Sequence, residues 1–420
     1  MAGEGSARGD SGSLSARERY GEAIWQTTLA GRRGPEAVPG ARAAVLPFRD
    51  LARLVEVLNA DYDVIGWVPG SGSVALTQVQ SADDLALGYR DHQQPGLYQL
   101  ERPEPSAPRS YASFSHGSDS PKKFLHPSRL TIFEGSIAQG PAAPKPPARP
   151  LAFLGMRSCD LAATLINDRT FLGQPADSYY AERRLPSFVV ASCCTRAGGT
   201  CFCASMGTGP RPRSGYDVRM TEIGSELLLE PGSEAGVNLL RRLGGRAANV
   251  DDLAEAERLV GQAAAGQGLQ MRTEGLVEGL RGALDHPYWE HMANWCIGCT
   301  NCTIVCPTCF CYDIVDRLSA SLDSVVRERY WDSCFTQRFT ALPELNPRAA
   351  LRPRYRHWLC HKLSFWTEQF GVFGCIGCGR CITWCPVRID ITYVADQVRQ
   401  PPEVTTAPSR SVEDARGGSR

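Results

Sequence analysis

Apolar residues recur at helical spacing in PFRDLARLVEVLNA (47–60), which predicts an amphipathic helix; YDVIGWV (62–68) is a short apolar run closed by Pro-Gly and predicts a strand and a turn. VALTQVQ and LYQLERP read as further strands, and IAQGPAAPKPPARP (137–150) as a Pro/Ala-rich connection. LAFLGMRSCDLAATLIND (151–168) predicts a strand, a Gly-containing turn and then a helix, and FVVASCC (188–194) a second buried strand. Residues 195–215 read as Gly/Pro-rich loop, followed by a polar, alternating piece around ELLLEPG (226–232). DDLAEAERLVGQAAAG (251–266) opens on capping aspartates and continues with helical periodicity. From about 285 to 395 the pattern suggests helical stretches between loops. Residues 1–42 are rich in Gly, Ser, Ala and Arg with weak periodicity and are expected to be disordered, as is the tail 399–420. Residues 43–270 are therefore expected to form an α+β domain, and 285–398 a second domain.

Composition narrows the function classes. The 420-residue chain can hold two or three domains, and its 45 Lys+Arg balance 45 Asp+Glu, so charge gives no reason to expect nucleic acid or an anionic membrane as partner. No run of about 18 apolar residues is present, so membrane insertion is not expected. The first residues lack the apolar core of a signal peptide, and a cytoplasmic location is expected. Cysteine changes the picture: there are 17, an odd number, and in a reducing compartment such residues are more often metal ligands or catalytic thiols than disulfides.

Their spacing is specific. WCIGCTNCTIVCPTC places Cys296, Cys299, Cys302 and Cys306 before Pro307, and FGCIGCGRCITWCPVRID places Cys375, Cys378, Cys381 and Cys385 before Pro386. Both read C-x2-C-x2-C-x3-C-P. Three thiolates two residues apart can wrap one face of a [4Fe–4S] cube from a single tight loop. The fourth Cys points away, and in two-cluster proteins it ligates the other cube. The Pro after it is expected to start a helix, where no N–H donor is needed. One cluster is thus expected on Cys296, Cys299, Cys302 and Cys385, and the other on Cys375, Cys378, Cys381 and Cys306, although Cys302 and Cys375 stand 73 positions apart. Zinc has no use for the third cysteine or the x3-C-P ending. Gly298, Gly377 and Gly379 can let backbone N–H groups approach the sulfurs or can serve only as turn glycines.

A second set, Cys159, Cys193, Cys194, Cys201 and Cys203, falls at strand ends and in a Gly-rich loop; four of the five could hold a third cluster or another metal, or all could be buried structural thiols. Cys309, Cys311, Cys334 and Cys360 remain, with Cys309 and Cys311 expected on a helix after the first motif and packing near the clusters. The basic stretch RPRYRHWLCHK (352–362) is a solvated face or a docking site for an acidic partner. No strand–GxGxxG–helix unit, P-loop or HExxH appears, so electrons must be collected and delivered by partner subunits.

SPKKFLHP (120–127), GMRSCDLAA (155–163), DSYYAERR (177–184), CFCASMGTGP (201–210), CPTCFCYDIVD (306–316), YWDSCF (330–335), RYRH (354–357) and GCIGCGRCITWCP (374–386) carry a resemblance over residues 45–398. The chain resembles the beta (iron–sulfur) subunit of cytosolic nickel–iron sulfhydrogenases and the related A subunit of anaerobic sulfite reductase. Ser158 stands where that pattern has Pro. The resemblance implies a hetero-oligomer in which this chain passes electrons between a flavin-containing NAD(P)H-reactive subunit and a small iron–sulfur subunit beside the catalytic metal. It implies an α-helical ferredoxin-type dicluster domain, with helices filling the span between the motifs. Cys159, Cys194, Cys201 and Cys203 match its N-terminal cysteine pattern. Two rival readings remain, an iron–sulfur redox sensor and a reductase with its own flavin.

Overall fold

The amphipathic helix expected near residue 50 runs over Leu51–Asp61 and buries Leu51, Leu54, Val55 and Leu58 on one face, as its periodicity requires. It belongs to a computed structural model that describes residues 15–26, 38, 40–104, 109–136, 138–142 and 149–402. The strands, in chain order, are β1 (Ala44–Pro47), β2 (Asp63–Pro69), β3 (Val74–Gln78), β4 (Arg90–Gln94), β5 (Leu97–Glu101), β6 (Arg129–Ser136) and β7 (Gly140–Ala142). They continue with β8 (Leu151–Arg157), β9 (Phe188–Ser192), β10 (Val218–Ile223), β11 (Glu226–Pro231), β12 (Arg246–Ala247), β13 (Tyr312–Leu318) and β14 (Ser324–Trp331).

Eight of these form one mixed sheet in the order β12-β1-β11-β10-β9-β8-β2-β3. Its centre is parallel, β2 beside β8, β8 beside β9 and β9 beside β10. Central parallel strands are covered on both faces and read as continuous apolar runs, which is why FVVAS is buried at every position of β9. The piece expected to be polar and alternating is β11, buried from Leu227 to Pro231, since it lies between β10 and β1. The helix Ser158–Phe171 crosses over from β8 to β9 and is buried along nearly its whole length. Gly155 does not end β8: it forms a bulge at φ +73°, where an added Cβ would lie 2.1 Å from the Tyr111 ring.

A second sheet, in the order β13-β14-β6-β7, takes up the first part of the span between the two cysteine motifs, where helices were expected; helices occupy only its later part, from Leu351 to Phe370. YDIVDRL and SVVRERYW are rich in β-branched and aromatic residues and pair as a hairpin, and β14 extends the sheet begun by β6. Cys309 and Cys311 accordingly lie in the loop that leads into this hairpin and not on a helix. The fold is thus mixed α/β, sheet-rich in its N-terminal part.

The expected disorder of 1–42 fails for residues 15–26. Ile24 and Trp25 are buried, and the Trp25 indole donates to the Gly207 carbonyl at 2.9 Å, so two apolar anchors tie this segment to the core. At the other end Arg399 donates to the Glu274 and Arg272 carbonyls. The rest of the expected tails, residues 1–14, 27–37, 39 and 403–420, lies outside the described residues.

Candidate metal centres

The two motifs fold alike. In each, the first two cysteines lie on an extended loop, the third on a short helix (Asn301–Ile304 or Arg380–Thr383), and the fourth just past that helix. Pro307 and Pro386 begin turns rather than helices; the next helix after Pro386 starts at Ile391, capped by Asp390. The prolines therefore turn the chain away from the site.

Cys296, Cys299 and Cys302 line one cavity, of about 420 Å3 of atom-free space, together with Cys381 and Cys385. Cys375, Cys378 and Cys381 line another, of about 310 Å3, together with Cys306. Each cavity therefore includes the first three thiols of one motif and the fourth of the other, and Cys381 lies between the two cavities. Phe335, Tyr355, Trp358, Val387 and Ile389 wall the first, and Phe202, Ile376 and Ile391 the second. Such surroundings exclude water and penalise a bare thiolate. Burial pushes the Cys375 thiol up to about 12, and it raises Cys296, Cys302, Cys378, Cys381 and Cys385 as well. A positively charged metal centre offsets that penalty, so binding there expels protons. Among the described residues no three His, Cys, Asp or Glu side chains converge on a single ion; the thiols are instead spread around cavities, which suits a cube with its ligands at separate corners.

Donors to sulfur are built in. Gly298 N–H lies 3.4 Å from Cys296 Sγ and Ile389 N–H 3.3 Å from Cys385 Sγ. Cys306 receives Lys362 Nζ at 3.1 Å, and its thiol, bonded first by Cys309 and then favoured by Lys362, is lowered. Lys122, also buried, donates to the carbonyls of Ile304, Cys306 and Cys309 and stacks its ammonium 3.9 Å over the Trp331 ring. Burial brings the Lys122 ammonium down to about 8. Neither lysine was singled out by spacing; the signal for Lys362 is its setting in the apolar run WLCHKLSFW.

The second motif is sunk into the N-terminal part. Gly377 (φ +68°) accepts from Phe202 N–H at 2.8 Å through its carbonyl, and an added Cβ would come within 2.7 Å of the Phe202 and Cys203 backbone. Gly379 meets Thr200 in the same way. For these two, close backbone approach is the reason for glycine. His116 Nε2 lies 2.8 Å from the Cys378 carbonyl, and Arg380 pairs with Asp160 at 2.8 Å, both fully buried.

Asp160 adjoins Cys159 at the carboxyl end of β8, and Cys194 follows β9, so both stand at the strand ends where open parallel sheets build sites. Cys201 and Cys203 reach the same place from the loop. Burial raises all four thiols; Cys159, Cys201 and Cys203 feel the charge of Cys378, and Cys201 and Cys203 that of Cys194. Cys203 Sγ receives Gln267 Nε2 at 2.9 Å. Ser158 donates to the Thr208 carbonyl at 2.9 Å, fastening the cysteine loop to the helix start. Cys193 faces the other way, toward Thr221 and Arg219, and is separated from this group. Cys360 is packed in apolar core.

A family model described as a 4Fe-4S dicluster domain matches residues 295–389. The chain is 32% identical over 284 residues to sulfhydrogenase 2 subunit beta of Pyrococcus furiosus, a match covering 67% of this chain and 83% of that protein. No solved structure matches. No helix among the described residues is long and apolar enough to cross a membrane. With the dicluster domain and two cysteine-lined cavities in its C-terminal part, the chain belongs to the iron–sulfur beta subunits of the sulfhydrogenase family.

Proposed function

We propose that this chain is the electron-transfer subunit of a multi-subunit nickel–iron hydrogenase of the cytoplasm, passing single electrons between two [4Fe–4S] clusters. Cys296, Cys299, Cys302 and Cys385 hold one cluster, and Cys375, Cys378, Cys381 and Cys306 the other. The observation that carries this reading is the sharing of thiols: each cavity is lined by the first three sulfurs of one motif together with the last of its counterpart, and Cys381 stands at both. The clusters supply the one-electron chemistry when bound. The chain excludes water with aromatic and aliphatic walls, donates N–H groups to sulfur, and sets Lys362 and Lys122 against the negative charge of the thiolates.

The N-terminal thiols Cys159, Cys194, Cys201 and Cys203 form a third cluster site, supported by their convergence beside Cys378 and by the Gln267 bond to Cys203. The relay then runs from the strand ends of the large sheet, through the second motif, to the first. Its partners are a flavin-containing NAD(P)H-reactive subunit and a small iron–sulfur subunit; kinship with a sulfhydrogenase subunit supports hydrogen rather than sulfite chemistry. Residues 43–270 and 285–398 are the two units of the chain, in close mutual contact.

Anaerobically purified protein is expected to hold about eight iron and eight sulfide, or about twelve of each with the third site filled. Cys306→Ser is expected to weaken the paramagnetic signal of the cluster on the second motif. Selective loss of the other signal would overturn the ligand sets, and zinc without acid-labile sulfide would overturn the relay.

A further inference from the structure

Three thiols stand apart from the cluster cavities and the N-terminal set; Cys309 and Cys311 are half-buried and Cys334 is buried. Cys309, Cys311 and Cys334 line a separate cavity of about 730 Å3 of atom-free space, with His357, His361 and Trp366 around it. The hairpin β13–β14 brings two of these thiols together at its open end: Asp332 N–H donates to the Cys311 carbonyl at 2.9 Å, and the Cys334 thiol donates a hydrogen bond to Cys311. Cys309 is engaged otherwise, bonded to Cys306.

We propose that Cys311 and Cys334 form a redox-active dithiol that reduces small disulfides entering this cavity and is itself restored by electrons from the neighbouring iron–sulfur centres. The inference rests on the relay reading above. Position supports it. Cys334 feels the charge of Cys302, and both thiols feel that of Lys362, which touches Cys306, so the pair stands between the two proposed ligand sets. Division of labour within the pair supports it too. The bond from Cys334, aided by Lys362, brings the Cys311 thiol down to about 7 against its burial, whereas Cys334 is raised and stays protonated.

Cys311, giving up its proton, attacks one sulfur of the disulfide as thiolate; the S–S bond breaks and the first thiol leaves with that proton. Cys334, losing its proton, then attacks Cys311 Sγ and expels the second thiol. A Cys311–Cys334 disulfide results. Two electrons, arriving singly from the reduced iron–sulfur centres, and two protons regenerate the dithiol.

The test uses the full chain, purified without air, with 2-hydroxyethyl disulfide as the probe. Parent protein is expected to form the Cys311–Cys334 disulfide by mass spectrometry, and to reverse it on reduction of the clusters with dithionite. Cys334→Ser is expected to stop at a mixed disulfide on Cys311, and Cys311→Ser to lose disulfide reduction at least ~10-fold. Both variants should keep the parent's iron content and paramagnetic signals. Undiminished disulfide reduction by Cys311→Ser would overturn the proposal. So would loss of iron from either variant, which would make these residues ligands. Failure of the relay reading is visible separately, as absent iron–sulfur signals in the parent.

Discussion

Two buried ammonium groups gather on Cys306: Lys362 reaches its sulfur and Lys122 its carbonyl. Burying a lysine is costly unless anionic charge stands beside it, so these residues mark where negative charge is meant to accumulate. Lys362→Met keeps the length of the side chain and removes the cation. Under the proposed ligation the centre that includes Cys306 then becomes harder to reduce. Its midpoint should fall by on the order of 100 mV, at unchanged iron content, in a redox titration followed by electron paramagnetic resonance. An unmoved midpoint would mean that Lys362 is only a packing residue. Thr300 is a further sign of local constraint: it holds φ +68°, where the second motif has Gly379 at +78°. A side chain is tolerated there because the first motif lies nearer the surface, whereas Gly379 is pressed against Thr200.

At the level of elements, the loop carrying Cys201 and Cys203 and the loop of the second motif are packed backbone to backbone. Gly377→Ala would place a methyl within 2.7 Å of the Phe202 and Cys203 main chain at a left-handed φ. We expect it to cost about 2 kcal/mol or more, measured as a lowered urea midpoint of the full chain. Gly298→Ala shares the positive φ but meets only Leu351, at 3.5 Å, and should cost less. Much of this was legible in the sequence. The spacing of eight cysteines predicts that each motif sends its last thiol toward the other's site, and Cys385 and Cys306 do line the opposite motif's cavity, although Cys381 lines both. The helices at 51–61 and 250–265 follow from periodicity, but the second is capped by Asn249, and Asp251 and Asp252, expected as caps, lie in its first turn, where Asp252 completes a capping box. The hairpin β13–β14 escaped, because its pairing with β6 depends on a segment almost two hundred residues earlier, which no local pattern records. Spacing alone did not tell Cys194 from Cys193; the resemblance singled out Cys194, and Cys193 lies toward Thr221 and Arg219.

Across the whole molecule, the sheet-rich part and the dicluster part are joined by more than a linker. β14 pairs with β6, Arg380 pairs with Asp160 out of water, and Tyr98 stacks on Trp384 with ring centres 5.2 Å apart. Breaking a buried ion pair from one side alone typically costs about 3–5 kcal/mol. Residues 285–402 produced alone would expose that carboxylate's partner and an unpaired strand edge. We expect this fragment to aggregate or to incorporate little iron, whereas the full chain unfolds in one transition by circular dichroism and by cluster absorbance; a fragment that loads iron fully would show that the dicluster part is autonomous. The swapped sulfurs have a mechanical consequence as well. Cys302 and Cys306, and Cys381 and Cys385, are each separated by only three residues of chain, so under the proposed ligation the gap an electron must tunnel is bridged twice by short covalent tethers. Breathing of the surrounding sheets, or lengthening of the hairpin that separates the motifs, leaves that gap and the hopping rate across it unchanged.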